Sequence, residues 1–273
     1  MTQFFSTLPM AVKVLVMYVV PIALALGLGI AMAFTKRLAL VTLFLYLVGL
    51  IISAMIFFTL PDFIRAGGPL VIALILLLIL LVTYTIERLF TLKRSRGRAS
   101  VQSFMREFRE QLRSGDLMGA ISTCNNQGGA TANILRAGLE RFMQTAQDRL
   151  TIDKRIAETQ RAIEEANMLE APLLERNLVV LTTIASVATM VGLLGTTIGM
   201  IRSFQAMAHA GAPDAVQLAV GISEALINTA GGLLNGIGGI VANNYFQNKV
   251  DQMNYQTDEA SYEMVQMLTS LKQ

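Results

Sequence analysis

Charge, cysteine, histidine and aromatic rings are all scarce in this chain of 273 residues. Charged residues make up 15% of it, against roughly 25% in soluble domains, so a large part of the chain has no need to face water. A single cysteine, Cys124, excludes an intramolecular disulfide framework. Lying in a charged segment, it fits a reduced cytoplasmic setting, as a small, partly buried filler. With one histidine, His209, and no Cys/His cluster, there is no His/Cys metal site and no Cys/His dyad to expect. The chain therefore does not read as an enzyme, and no cofactor or metal is expected. Aromatic residues are 7% and no separate basic domain stands apart, which argues against nucleic acid as a partner.

What the chain has in quantity is apolar length. Val14 to Thr35, Leu38 to Leu60 and Leu70 to Ile86 form three runs suited to a hydrocarbon core of about 30 Å. The first is too long for a cleaved signal and is followed almost at once by the second, so it reads as a retained helix. Lys93, Arg94, Arg96 and Arg98 after the third run mark a cytoplasmic side, which puts Lys36 and Arg37 inside and the N-terminus and Arg65 outside. From Glu87 to Glu175 the chain carries most of its Lys and Arg. Phe104, Phe108 and Leu112, then Leu117, Ala120 and Ile121, recur at helical spacing, and a break at Asn125 to Gly129 precedes a run from Ile134 to Leu169. This predicts a cytoplasmic insert of helix, turn, helix and one long helix aimed back at the membrane. Two further runs, Leu178 to Ala208 and Ala215 to Phe246, make five spans with a cytoplasmic C-terminus. The fold class is all-α, a polytopic helical membrane protein with long helices extending into the cytoplasm.

The last two runs differ in what interrupts them. Gly192, Gly195 and Gly199, and again Gly232 and Gly236, follow the small-xxx-small spacing that lets helix backbones approach, and they are read as packing positions. Thr196, Thr197, Glu224, Asn228, Thr229 and Asn235 are polar residues at membrane depth, and Glu224, Asn228 and Asn235 fall on one helical face. An acid there marks either an ion or proton path or a buried structural hydrogen-bond network, and the residue pattern leaves both open. Arg202 reads as a side chain reaching for the interface, and His209 as an ordinary loop residue.

The segments GLLGTTIGM (192–200) and GISEALINTAGGL (221–233) resemble the paired motifs of the ExbB/TolQ/MotA proton-channel family, with ExbB the nearest in character. Glu87-Arg88, Gly115-Asp116, Ala120, Cys124, Ala137 to Leu139 and Glu175-Arg176 extend the resemblance, which runs from about Leu70 to the C-terminus. It implies a homo-oligomeric ring, a pentamer, in the bacterial inner membrane, enclosing the transmembrane helices of an ExbD- or TolR-like single-span protein. A TonB- or TolA-like transmitter would carry the work to the outer membrane. The transported ion implied is the proton, and nothing supplies a carbonyl or carboxylate cage for sodium. Carried over by position, Thr196, Glu224 and Thr229 would line the route, with Asn228 and Asn235 adding polarity. On this comparison residues 1–68 are an added transmembrane pair, 69–92 the first family-type span, 93–175 the cytoplasmic insert, 176–248 the pore-lining hairpin and 249–273 a C-terminal helix. Asn228, in place of a small residue, and Asn235 to Gly239, in place of a proline with small apolar neighbours, depart from the family pattern.

Overall fold

The computed structural model describes residues 38–147, 150–209 and 215–270, and every regular element among them is helical. They are α1 (Leu38–Thr59), α2 (Asp62–Arg65), α3 (Leu70–Ser95), α4 (Val101–Arg113), α5 (Leu117–Gln127), α6 (Ala130–Gln147), α7 (Ile152–Glu175), α8 (Leu178–His209) and α9 (Ala215–Ser270). The first expected span, Val14 to Thr35, lies outside the described residues. Among those described, three helical stretches are long and apolar enough to cross a membrane: Leu70–Ser95, Ile152–Ala208 and Ala215–Ser270. In the second the apolar part is α8, because α7 is rich in charge and the chain breaks between them at Asn177, whose φ of 62° is left-handed. α1 is an apolar helix of 22 residues. The chain is a multi-pass helical membrane protein.

The helices fall into two compact units. The first holds α1, α2, α3 as far as Arg88, α8, and α9 as far as Asn244. Its internal packing depends on small residues. A Cβ on Gly192 would lie 3.0 Å from the Gly232 Cα, and one on Gly199 would lie 2.9 Å from the Ala225 backbone nitrogen, so α8 and α9 meet backbone to backbone. α1 approaches α3 at Gly49, where a Cβ would come 2.9 Å from Leu76. Outward faces stay apolar: Met190, Ile201 and Phe204 of α8 and Leu226, Leu234 and Ile237 of α9 are exposed, as lipid or protein neighbours require.

The second unit holds α3 from Leu89, α4 to α7, and α9 from Tyr245. Its core is built from Phe104, Phe108 and Leu112 of α4, Ala120 and Cys124 of α5, Leu135 and Leu139 of α6 and Ile163 of α7. Met264 and Leu268 of α9 complete it. Ser100 caps α4 by accepting from the Ser103 N–H, and Asp116 caps α5 by accepting from Gly119. Gly128 and Gly129, both at positive φ, end α5 at the predicted break. Burial pushes the Cys124 thiol up to about 12 from its ordinary 9.0, so it stays protonated and inert.

Two boundaries differ from those expected. The single long helix through Ile134 and Leu169 is two helices, α6 and α7, because the apolar faces around Leu139 and Ile163 pack on one another. Gly138 makes their close approach, since a Cβ there would lie 2.8 Å from Ile163. The last span and the C-terminal tail, in turn, are one helix of 56 residues.

Candidate functional site

Glu224 lies nine residues into α9, about 14 Å along the helix at 1.5 Å per residue. Its side chain is 10% exposed and accepts a hydrogen bond from Arg202 Nη1 of α8 at 2.5 Å, whereas the arginine side chain is 52% exposed. A lone carboxylate in apolar surroundings is costly, and the guanidinium offsets that cost. The two meet because the α8–α9 packing fixes an antiparallel register. Gly199 lies against Gly221 and Ala225, Gly195 against Asn228, Gly192 against Gly232, and Gly236 against Thr189. In that register Arg202 of α8 comes opposite Glu224 of α9. Arg202 was expected to reach for the interface; the structure places it on the acid instead.

The backbone before α3 completes this end of the bundle. Gly68, at φ 74°, passes so close that a Cβ on it would lie 2.6 Å from Glu224 Oε1. Asn228, fully buried, donates from Nδ2 to the Gly67 carbonyl at 2.7 Å and to the Glu224 carbonyl at 2.9 Å. One heptad further along α9, Asn235 donates to the Leu74 carbonyl at 3.0 Å. Both bonds advance by seven residues on each strand of the pair, so α3 and α9 run parallel. The remaining oxygens, Asn228 Oδ1 and Asn235 Oδ1, are buried without a hydrogen-bond partner among the described residues, leaving two acceptors inside the bundle.

Glu224, Asn228 and Asn235 thus share one buried face of α9, directed at α3 and its preceding turn. Thr196 and Thr229 are half-buried, and their hydroxyls donate to the carbonyls of Leu193 at 2.6 Å and Ala225 at 3.2 Å on their own helices. Thr197 is exposed. Each hydroxyl keeps lone pairs able to accept a further bond. The structure thus joins Glu224 to Arg202 and places Asn228 and Asn235 on the same face of α9, while the Thr196 and Thr229 hydroxyls bond to carbonyls of their own helices. No group of three or more His, Cys, Asp or Glu able to hold a metal occurs among the described residues. His209 ends α8, and its side chain is outside the described set.

A second polar cluster of the same unit is built on the Glu87-Arg88 motif. Glu87 and Arg88 are 4% and 1% exposed and pair bidentately at 2.7 and 2.8 Å. Asn177 donates to Glu87 at 3.3 Å from the break before α8. The adjacent Glu-Arg was visible as a motif; its burial was not.

Comparison with known proteins agrees with this architecture. Residues 129–259 match the profile of the MotA/TolQ/ExbB proton channel family. The chain is 40% identical over 88 residues to the biopolymer transport protein ExbB-like 3 of Synechocystis, covering 32% of this chain and 42% of that protein. It is 29% identical over 182 residues to the Tol-Pal system protein TolQ of Haemophilus influenzae, covering 64% of this chain and 80% of the relative. With the biopolymer transport protein ExbB of Pseudomonas putida the identity is 36% over 90 residues, 33% of this chain and 27% of the relative. The match to the profile begins in the insert and runs through the Arg202–Glu224 hairpin and its glycine contacts into the α9 tail. Over these residues the chain is similar to the MotA/TolQ/ExbB proton channel family.

Proposed function

We propose that the chain is the ExbB-type subunit of a proton-driven motor of the bacterial inner membrane, working with an ExbD-like partner to energise a TonB-type system for outer-membrane transport. The observation that carries this is an acid at membrane depth, Glu224, held by Arg202 and followed along the hairpin by two amides with unfilled acceptors. A purely structural network would be expected to satisfy its own oxygens. Copies of the chain form a ring, five in number, closed through the exposed apolar faces of α8 and α9 around the partner's single span. The N-terminus is periplasmic, the C-terminus cytoplasmic, and Val14 to Leu60 supplies two spans outside the ring. Protons are the ion, and the chain performs no catalysis and holds no cofactor or metal. Thr196, Glu224 and Thr229 line the route, while Asn228 and Asn235 set the acid's surroundings.

A TolQ-type role in envelope integrity is the second reading. The observation favouring it is extent, because the Haemophilus influenzae TolQ match covers 80% of that protein whereas the Pseudomonas putida ExbB match covers 27%. Isolation of the tagged chain from its native membranes, with mass spectrometry of the intact complex, separates the two. Recovery of a small single-span protein on an oligomeric ring supports the motor, and that protein's ExbD or TolR character decides the system. A ring or monomer without such a partner contradicts both. In the same complex, Glu224→Gln and Thr229→Ala are each expected to abolish or sharply lower energised transport while the ring keeps its mass. Wild-type transport in both variants would remove these residues from the route.

A further inference from the structure

The Glu224 carboxylate is bounded by two kinds of wall. One is main chain: an added Cβ at Gly68 would lie 2.6 Å from Glu224 Oε1 and 3.9 Å from Arg202 Nη1, so this backbone lies over the ion pair itself. Its left-handed φ of 74° suits glycine, and neighbouring Gly67 is fastened through its carbonyl by the fully buried Asn228. A Cβ at Gly67 would meet Val71 at 2.6 Å and Ile227 at 2.8 Å, so the turn is wedged between α3 and α9. The other wall is the Arg202 side chain, 52% exposed and tied to the acid through one nitrogen. The turn moves only if α3 moves; the arginine can leave by rotating its own bonds.

We propose that Arg202 and the Gly67-Gly68 turn form a gate over Glu224, closed in this structure, with Arg202 as the part that opens. Withdrawing Arg202 from an ionised Glu224 strands two charges in apolar surroundings, which holds the gate shut. A proton arriving on the carboxylate cancels its charge and releases the guanidinium. Loading of the acid thereby frees the Arg202 guanidinium and uncovers the carboxyl group. Arg202 is on this view a positioning residue, and the mechanism rests on Glu224 being the acid of the proton route.

The test is covalent labelling of Glu224 by an apolar carbodiimide in native membranes containing the full-length chain and its partners, read by peptide mass spectrometry. Wild-type Glu224 is expected to label slowly, Arg202→Gln about tenfold faster, and Arg202→Lys close to wild type because a cation still covers the acid. Gly68→Ala, whose Cβ displaces the carboxylate, is expected to raise labelling as well. Equal labelling of wild type and Arg202→Gln overturns the gate. If Arg202→Gln does not accumulate, native wild type against the same protein unfolded in detergent decides: protection in the native state supports closure, and equally fast labelling overturns it. Loss of transport in Glu224→Gln reports on the proton route separately, so either idea can fail alone.

Discussion

At the scale of single residues, Asn228 and Asn235 look alike in sequence but hold different kinds of acceptor. Gly67 lies ahead of α3, and no backbone N–H reaches its carbonyl among the turn and cap bonds of this region, so Asn228 supplies the partner. The Leu74 carbonyl lies inside α3 and also has the helix's own N–H four residues on. Asn228→Leu should therefore cost about 1–3 kcal/mol by leaving a buried carbonyl unpaired, and Asn235→Leu less than about 1 kcal/mol. Thermal unfolding in detergent measures both, and equal losses would contradict the assignment. Cys124 gives a second prediction at this scale. Burial raises its folded value from 9.0 to about 12, so the native chain keeps a proton that the unfolded chain loses. Its contribution to stability is whole below the unfolded value and declines as pH rises from about 9 toward 12. At pH 8 a maleimide should leave Cys124 unmodified in the folded protein and react on unfolding; rapid reaction with the folded protein would contradict its burial.

Among the elements, the α8–α9 hairpin depends on where glycine meets backbone. A Cβ at Gly192 would lie 2.9 Å from the Asn228 carbonyl oxygen and 3.0 Å from the Gly232 Cα, neither of which can rotate away. Gly231 faces only Leu74 Cδ1 at 3.1 Å, the flexible end of a side chain. Gly192→Ala should accordingly destabilise the hairpin by about 1–3 kcal/mol and Gly231→Ala by less than about 0.5 kcal/mol, measured as shifts in unfolding temperature. The apolar runs, the Gly128-Gly129 break and the small-residue spacing of the hairpin could all be read from the chain, because each is a local pattern. The division between α6 and α7 could not, since it arises from Leu139 and Ile163 packing across a reversal. The Arg202–Glu224 pair was hidden for a related reason: it becomes evident only when two helices are aligned, and Arg202 alone looks like any cation near a helix end. Burial of Glu87 and Arg88 likewise depends on neighbours the motif does not contain.

For the whole molecule, the two units divide the work as the composition divides the residues. One is an apolar bundle in which Glu224 pairs with Arg202 and Asn235 with the Leu74 carbonyl across helices, Asn228 holds the Gly67 carbonyl of the turn before α3, and Glu87 pairs with Arg88 along α3 itself. The other is a helical domain with a conventional core and ion pairs such as Arg109–Glu263, bidentate at 2.8 and 2.9 Å. On the proposed function, the acid and amides of this bundle are where an ion would cross. The most direct test is proton uptake by sealed vesicles holding the purified complex under an imposed membrane potential, comparing wild type with Glu224→Gln at equal complex mass. The account predicts uptake by the wild type and its loss in the variant, and undiminished uptake with Glu224→Gln would contradict it.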